Sequence, residues 1–425
     1  MSLKLSVMAY KELKAIFHQY DRTKADQEED ARRTSPSAIH WDFTIGESPM
    51  FCLVTPEVTV LIERIMRRDS RARRLWDDLP QGLREHYLRS MIIEEIHATN
   101  EIEAVYSTRQ EIADVLDAVA GDKTASHQRF REMARLYIAL GRGSVDIPDS
   151  LEDIRTIYDE VTNGEIRNEN VPDGRLFRAG TVVITDGIKT IHQGVDSEPR
   201  INDGLTEVLR QSKDDDIPSL IRAVAAHFIF EYVHPFYDGN GRTGRYLLEL
   251  DLAQCLSPVA WLSLCATIAD NKTRYYRAFH NAENPHNKAD ITTFVTEMLG
   301  IILEAEGRLC EDLYACHKRA KQLNTRIQKV MDDPHSPLSS LSQKDYAILF
   351  VIAQAAIFAV GGEVTLDSIA QTLEKSKQYV RKVTRQLVDR ELIQETSKRP
   401  LRFRLTPTAY TLLDLKTLDS QEKPN

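Results

Sequence analysis

The chain has 425 residues, which is enough for two or three domains with a sizeable core. Its composition, 42% hydrophobic and 28% charged, is that of an ordinary soluble protein, and a formal charge of -9 argues against a protein coated with nucleic acid while allowing a local basic patch. The five cysteines are odd in number and lie outside C-x-x-C pairs, which indicates a reducing compartment and neither a disulfide scaffold nor a zinc site.

The chain start, 1–20, lacks the basic segment, apolar stretch and small-residue cleavage site of a secretory signal. The longest apolar run, 347–360, is interrupted by Gln354 and is shorter than the roughly 20 residues that a bilayer requires. We therefore expect a cytoplasmic protein with no membrane partner.

The N-terminal part is predicted to be an extension, 1–50, before a large domain at 51–327. Within the extension, 21–33 is dense in charge and is predicted to be a solvated segment. A helix is predicted from Pro56, which suits a first helical turn, and further helices are expected from 81 to 140. In that region 91–104 is an acidic helix, and its glutamates can be explained as solvated surface residues.

A β-hairpin is predicted at about 178–192, inside an otherwise helical domain. A β-branched run at 181–185 is followed by the pair Asp186-Gly187 and by a second short β-branched run. Because an isolated hairpin is marginally stable, we expect it to cover another element or to accept a partner strand. The alternative is a purely structural hairpin.

The loop 234–245 combines the features of a polyphosphate site. It follows the apolar run 221–233, which is predicted to be a buried helix. Gly239, Asn240 and Gly241 can adopt backbone angles that place consecutive N–H groups in one concavity, where an anion binds. The next segment is predicted to be a second helix, whose positive end strengthens the site.

Charged side chains in this loop supply the other groups that a nucleotide reaction needs. Arg242 and Arg245 are three residues apart, so both can point from the first turn onto phosphate oxygens. Asp238 offers a hard oxygen ligand for Mg²⁺. His234 is the group here that titrates near neutrality, which makes it the candidate general base.

The C-terminal part has a different pattern, with a linker predicted at 328–343, a domain at 344–415 and a tail at 416–425. Helices are predicted over 346–360, 365–373 and 376–390, and two short strands then flank a basic turn at 397–400. This order is similar to a winged helix-turn-helix domain with 376–390 as its recognition helix.

The predicted recognition helix and wing are basic in an acidic protein. From 376 to 404 there are nine basic and three acidic residues. Lys377, Arg381, Lys382 and Arg385 are expected to point outward and to contact DNA phosphates. The alternative is a protein-docking winged helix with a solvated face.

The loop 234–245 matches every fixed position of the Fic family signature, H-x-F-x-(D/E)-G-N-G-R-x-x-R, and so resembles that family. The resemblance covers roughly 94–303, about half of the chain. It implies a mainly α fold, with a Fic-type helical core and a β-hairpin flap, which the C-terminal winged-helix domain follows. Family members transfer AMP from ATP, with Mg²⁺, to a protein hydroxyl.

The resemblance assigns roles to residues beyond the loop. The segment 91–104 is similar to the Fic inhibitory motif (S/T)-x-x-x-E-(G/N), with Thr99 and Glu103 in the fixed places and Ala104 where Gly or Asn is usual. It implies that Glu103 pairs with Arg245 and thereby holds ATP in an unproductive pose.

The hairpin and a tyrosine pair complete the site that the resemblance implies. The hairpin would be a flap on which a target segment pairs through its main chain, presenting its hydroxyl to His234. Tyr275 and Tyr276 resemble the segment whose aromatic ring covers the purine, and since neighbouring helical residues point to different sides, at most one is expected to do so. The nucleotide-binding residues are predicted to be Val182, Val183, Ile184, Thr185, Gly239, Asn240, Gly241, Arg242, Thr243, Gly244, Arg245, Tyr275 and Tyr276.

The sequence thus predicts an AMP-transferring enzyme, autoinhibited by Glu103, that acts on a Ser, Thr or Tyr hydroxyl of a target protein or of itself. Three alternatives stay open: a nucleotide-sensing DNA-binding regulator without transfer activity, an enzyme that removes AMP, and phosphoryl transfer of the Doc-toxin kind, which carries Lys where Gly241 stands. A homodimer is among the assemblies expected.

Overall fold

The computed structural model describes residues 10–120, 129–185, 190–336, 338 and 341–415. Several predicted features fall partly or wholly outside these residues: the tail 416–425, the first nine residues of the N-terminal extension, the Asp186-Gly187 turn of the hairpin, and positions 337, 339 and 340 of the linker. Within the described part, the chain is mainly α-helical with small antiparallel sheets, as predicted.

The helices are α1 (Leu13–Gln19), α2 (Arg22–Arg33), α3 (Pro56–Asp77), α4 (Gln81–Ile102), α5 (Arg109–Ala120), α6 (Arg131–Gly141), α7 (Leu151–Val161), α8 (Glu198–Gln211), α9 (Ser219–Val233), α10 (Asn240–Cys255), α11 (Leu264–Asp270), α12 (Lys272–Ala282), α13 (Thr292–Asp332), α14 (Gln343–Phe358), α15 (Leu366–Thr372), α16 (Lys377–Asp389) and α17 (Pro407–Leu412). The strands are β1 (Ala38–Ile45), β2 (Ser48–Leu53), β3 (Val183–Thr185), β4 (Thr190–Gln193), β5 (Val364–Thr365), β6 (Ile393–Lys398) and β7 (Leu401–Leu405). None of these helices is both long and apolar enough to cross a membrane.

Backbone contacts divide the chain into two units. One lies within 1–71, 95–107 and 125–309, and the other within 72–94, 108–124 and 310–425. We call them the catalytic-loop unit and the C-terminal unit.

Helix α9 is the centre of the catalytic-loop unit. Its sequence is apolar on all sides, and residues from Leu220 to Val233 are buried nearly throughout. A helix without a polar face is stable when other elements surround it, and α8 and α10 pack against it here. The predicted helix over 221–233 is therefore confirmed, and its buried position fixes where the loop after it begins.

Helix α2 lies in the segment that was predicted to be solvated, 21–33. The Asp21 side chain caps the helix by accepting a hydrogen bond from the Lys24 amide at 2.8 Å. Arg32 is buried and forms ion pairs with Glu28 and with Asp290, both at 3.0 Å. Most residues of 21–33 are exposed or half-buried, as predicted, but Arg32 is buried because its partner, Asp290, lies 258 positions further along the chain.

The C-terminal unit contains a three-stranded antiparallel sheet in the order β5-β7-β6, with α14, α15 and α16 packed on it. Helix α16 buries Val380, Val383 and Leu387, which form the stripe on its inward face. Its N-terminus is capped by Ser376, whose hydroxyl accepts from the Tyr379 amide at 3.2 Å. Helix α13 extends to Asp332, into the segment predicted as a linker.

Candidate active site

The candidate base, His234, lies directly after α9 in a left-handed conformation with φ of 52°. The buried guanidinium of Arg178 holds this turn from inside, because Nε donates to the His234 carbonyl at 2.7 Å and Nη2 to the Val233 carbonyl at 3.0 Å. Histidine is one of the side chains that tolerates this conformation. The arrangement ends α9 sharply and places the imidazole at the head of the loop.

The loop is closed by the Asn240 side chain. Its Oδ1 accepts from the Phe236 amide at 2.9 Å and its Nδ2 donates to the Phe236 carbonyl at 2.8 Å. Phe236 is buried, and its ring stacks on Tyr158 with centroids 3.5 Å apart. Gly239 has φ of 84°, and a Cβ there would lie 2.6 Å from Thr162. Helix α10 therefore begins at Asn240, with its free N–H groups facing the loop.

The hydrogen bonds of His234 define which nitrogen can act as a base. Nδ1 lies 3.3 Å from the Glu231 carbonyl, which only accepts, so Nδ1 carries the proton and Nε2 keeps its lone pair. Burial, and then the positive charge of His192, lower the pKa of His234 to about 3. The imidazole is therefore neutral at physiological pH and can accept a proton at Nε2.

Arg245 is buried and bound to the end of α4. Its Nη1 lies 2.9 Å from Glu103 Oε1, Nε donates to the Thr99 hydroxyl at 3.0 Å, and Nη2 donates to the Thr99 carbonyl at 3.1 Å. Burial opposes the charge of Arg245, but the Glu103 carboxylate raises its pKa well above the ordinary value. The structure thus brings together the two residues, Glu103 and Arg245, that the sequence predicts to pair.

Gly241 makes the approach of Glu103 possible. A Cβ at this position would lie 2.1 Å from Glu103 Oε1 and 2.9 Å from Arg245 Nη1. The Glu103 carboxylate therefore lies against the first turn of α10, where a helix end favours an anion. A lysine at position 241 would occupy the same space.

Arg242 has a partner that the sequence did not predict. The expectation was that Arg242 and Arg245 both face phosphate oxygens, whereas Arg242 is buried in an ion pair with Glu165, which also binds Arg129 at 2.8 Å. Glu165 lies after α7, and no pattern around it in the sequence distinguishes it from a surface acid. In this conformation each of the two loop arginines is neutralised by a carboxylate.

Thr243, Gly244 and Asp238 complete the loop. Thr243 is buried and its hydroxyl donates to the Gly239 carbonyl at 2.9 Å, so it stabilises the first turn of α10. A Cβ at Gly244 would lie 2.2 Å from Glu231 Oε1, so this glycine allows α9 and α10 to approach closely. Asp238 is exposed beside the helix start, and its carboxylate fits a hard cation such as Mg²⁺.

The predicted hairpin is present as the antiparallel pair β3 and β4, in which Val183 faces Gln193 and Ile184 faces His192. Val183 and Ile184 are exposed, while Val182 precedes the strand and accepts from the Gly194 amide at 3.1 Å. The Thr185 backbone belongs to β3. Within the described residues β3 pairs with β4 alone, so its other main-chain edge has no strand partner there.

The two tyrosines after the loop differ in burial. Tyr275 is 2% exposed and its hydroxyl lies 2.8 Å from His227 Nε2, so it packs in the core and its prediction as a nucleotide contact is corrected. Tyr276 is 43% exposed and stays the candidate for covering the purine. The sequence predicts that the two tyrosine rings point to different sides of α12. Which side faces the core depends on tertiary packing.

In the C-terminal unit, the four residues predicted to contact DNA are exposed on α16. Lys377 forms an ion pair with Asp367 at 2.8 Å. Arg381, Lys382 and Arg385 lie on the face opposite the buried stripe.

Part of the chain is similar in sequence to known proteins. Residues 148–252 match the model of the Fic/DOC family. The protein adenylyltransferase fic-1 of Caenorhabditis elegans is 29% identical over 154 residues, and that of Caenorhabditis briggsae is 32% identical over 154 residues. Each alignment covers 36% of this chain and 26% of the relative, so the chain spans about a quarter of the length of these curated relatives.

Solved structures of Fic proteins are also similar. A Fic family protein from Desulfovibrio desulfuricans has a TM-score of 0.49 and 23% identity, covering 83% of this chain and 97% of that one. Fic-1 from C. elegans has a TM-score of 0.44 and 19% identity, covering 70% and 79%. The sequence match to the Fic/DOC family, at 148–252, includes both the loop and the hairpin.

Proposed function

We propose that this protein transfers AMP from ATP to a Ser, Thr or Tyr hydroxyl of a target protein, which can be the chain itself. The observation that carries the proposal is the neutral imidazole of His234, with Nε2 unprotonated, at the head of a loop whose other end is the N-terminus of α10. The names of the curated relatives and the family match over 148–252 support the same chemistry.

His234 Nε2 would take the proton of the target hydroxyl as that oxygen attacks the α-phosphorus of ATP. The bond from the α-phosphorus to the bridging oxygen breaks, and pyrophosphate leaves. The N–H groups at the start of α10 would stabilise the charge on the phosphate oxygens, and Arg242 and Arg245, once released from their carboxylates, would orient the rest. Mg²⁺ on Asp238, when bound, would neutralise phosphate charge.

The flap would present the substrate. The edge of β3 opposite β4 can pair with an extended target segment through main-chain hydrogen bonds, which makes little demand on the target's side chains. A hydroxyl carried by that segment would then reach His234. Tyr276 would cover the purine.

Autoinhibition by Glu103 is part of the proposal. The Glu103 carboxylate neutralises Arg245 and lies against the first turn of α10, both of which an ATP phosphate would need. An enzyme that removes AMP, with Glu103 positioning a water molecule, would use the same geometry and is the alternative enzymatic function. A regulator that senses nucleotide without transfer is the alternative outside them.

Replacement of His234 tests the proposal directly. His234→Ala is expected to reduce labelling by α-phosphate-tagged ATP by at least about a hundredfold, because general base catalysis is typically worth that much. His280→Ala, an exposed histidine on α12, is the matched control and should label like wild type. Undiminished labelling of His234→Ala would exclude this mechanism, and no labelling of wild type or of the Glu103→Gly variant would favour the non-transferring regulator.

A second candidate function concerns the C-terminal unit. The order of α14, β5, α15, α16, β6 and β7, together with the exposed basic face of α16, favours a winged helix-turn-helix that contacts DNA phosphates. The alternative is that the same face docks another protein. This DNA-binding function is independent of the AMP-transfer proposal.

A further inference from the structure

His192, on the flap strand β4, lies close to the candidate base. Its ring centroid is 5.8 Å from that of His234, and its side chain is 9% exposed. Both of its ring nitrogens contact acceptors: Nδ1 lies 2.8 Å from Glu283 Oε2, just after α12, and Nε2 lies 3.0 Å from the Tyr232 carbonyl on α9.

These two contacts fix the protonation state of His192. A neutral imidazole carries one N–H and one lone pair, so one of the two acceptors would face a lone pair at hydrogen-bond distance. Only the imidazolium, with an N–H on both nitrogens, satisfies a carboxylate and a carbonyl together. Burial by itself lowers the pKa of His192, but the hydrogen bond and the charge of Glu283 raise it above the ordinary value.

Besides burial, the positive charge of His192 lowers the pKa of His234. The other charged groups near the two rings are Arg178, whose guanidinium binds the His234 carbonyl, Glu283 itself, and Glu231, whose carbonyl accepts from His234. The positive charge of Arg178, like that of His192, disfavours protonation of His234, while the negative charge of the carboxylates favours it. At about 6 Å and an effective dielectric near 20, a unit charge shifts a neighbour's pKa by roughly one to two units.

The same contacts fasten the flap. Strand β4 has its partner β3 on one side, and the His192 side chain ties it to α9 and to the end of α12. A two-stranded hairpin is marginally stable by itself, so this tie is a means of holding β3 over the loop.

We propose that His192 is a positioning residue of this site: held as an imidazolium by Glu283 and the Tyr232 carbonyl, it disfavours protonation of His234 and fixes the flap. This inference rests on the proposed function, in which His234 is the base. It adds a residue, His192, that the loop motif does not contain.

The test compares wild type, His192→Gln and Glu283→Gln in the full chain, by labelling with α-phosphate-tagged ATP from about pH 2 to pH 7, a range that contains the His234 pKa of about 3. His192→Gln keeps one donor but loses the charge, so the pKa of His234 rises and the acidic limb of the activity profile moves up by about one pH unit. Glu283→Gln removes the carboxylate that stabilises the charged form of His192. The acidic limb of its activity profile is therefore expected to lie between those of wild type and His192→Gln. His280→Gln is the matched control and should leave the limb in place.

Nuclear magnetic resonance of ring-labelled histidine gives a readout that does not need activity. The His234 ring signal, identified by its loss in His234→Ala, should titrate about one unit higher in His192→Gln than in wild type, and His192 should be doubly protonated at pH 7. An unchanged His234 titration in folded His192→Gln, or a neutral His192 at pH 7, would overturn the proposal. If the titrations shift as expected while no variant labels, even when Glu103→Gly is added, the electrostatic inference stands and the AMP-transfer function fails.

Discussion

At the scale of single residues, the site is a set of buried charges, each held by a partner. Arg245 binds Glu103 and Arg242 binds Glu165, while the arginine side chains are 1% and 2% exposed. A buried guanidinium that loses its carboxylate is strongly disfavoured unless another anion replaces it. The phosphates of ATP are such anions, so nucleotide binding and release of the two carboxylates are expected to be coupled.

Removing the Glu103 carboxylate is expected to raise activity. In Glu103→Gly, Arg245 is free to bind phosphate, and self-labelling should increase by roughly tenfold, within the usual range of coupling between sites. Mass spectrometry of the protein incubated with ATP and magnesium measures it. Glu101→Gly, an exposed glutamate on the same helix, is the matched control. Labelling that stays flat in Glu103→Gly, or rises equally in both variants, would show that Glu103 is not inhibitory.

A buried acid away from the site predicts a pH dependence of stability. Glu306 is fully buried, both of its carboxyl oxygens lack a hydrogen-bond partner within the described residues, and burial, with the charge of Asp69, raises its pKa to about 8. The folded protein therefore keeps this proton up to about pH 8, whereas the unfolded chain releases it near the ordinary value of 4.5.

The stability that this proton contributes is complete below about pH 4.5 and is lost as the pH rises to about 8. Glu306→Gln should flatten that slope and raise the free energy of unfolding at pH 8 by on the order of a few kcal/mol. Urea denaturation of both proteins at pH 5 and pH 8 measures the difference. An equal slope in the two proteins would contradict the assignment to Glu306.

At the scale of elements, the end of α4 explains why its motif favours Gly or Asn after the glutamate. The Val105 amide donates to the Asn100 carbonyl at 2.8 Å and the Ala104 amide to the Glu101 carbonyl at 3.1 Å, which is the Schellman pattern of helix ends. Ala104 consequently has φ of 55°, a left-handed conformation that favours glycine. This turn is what points Glu103 back towards Arg245.

Ala104→Gly should relieve this strain and raise the free energy of unfolding by about 1 kcal/mol, because a side chain costs that much in the left-handed region. By holding the turn more firmly, it should also keep self-labelling at or below the wild-type level. Ala104→Val, with a β-branched side chain, should change both properties in the opposite direction. Thermal unfolding and ATP labelling of the two variants check this, and a destabilised Ala104→Gly would refute it.

At the scale of the whole molecule, the two units have different proposed functions. The catalytic-loop unit contains the loop, the flap and the Glu103 turn, and the C-terminal unit contains the basic face of α16. The net charge of -9 makes that face a local exception in an acidic protein. The proposed functions of the units can therefore be tested separately in one chain.

Charge reversal on α16 tests the DNA-binding function. Arg381→Glu with Arg385→Glu should weaken binding to duplex DNA and reduce its dependence on salt, because fewer counterions are released. Lys318→Glu with Lys321→Glu, exposed residues on α13, changes the net charge equally and is the control. Fluorescence anisotropy at several salt concentrations measures both. If intact wild-type protein does not bind duplex at low salt, the docking alternative is favoured.

The sequence by itself determined those elements of this protein that depend on residues close together in the chain. The apolar run of α9, the glycines of the loop and the capped amphipathic helix α16 each follow from residues within one or two helical turns, and the structure places these elements as predicted. The loop motif also identified His234, Asp238 and the two arginines as candidate site residues, because the residue type alone indicates what each side chain can do chemically.

Only the tertiary structure decided which groups meet. Arg242 binds Glu165, which lies 77 positions away, and Arg178 holds the His234 turn from 56 positions away. Tyr275 turned out to be a core residue and His192 a neighbour of the base, because both outcomes depend on which face of an element packs inward. Sequence patterns report periodicity along one element, whereas ion pairs and buried hydrogen bonds depend on distances between elements, and these distances exist only after the chain has folded.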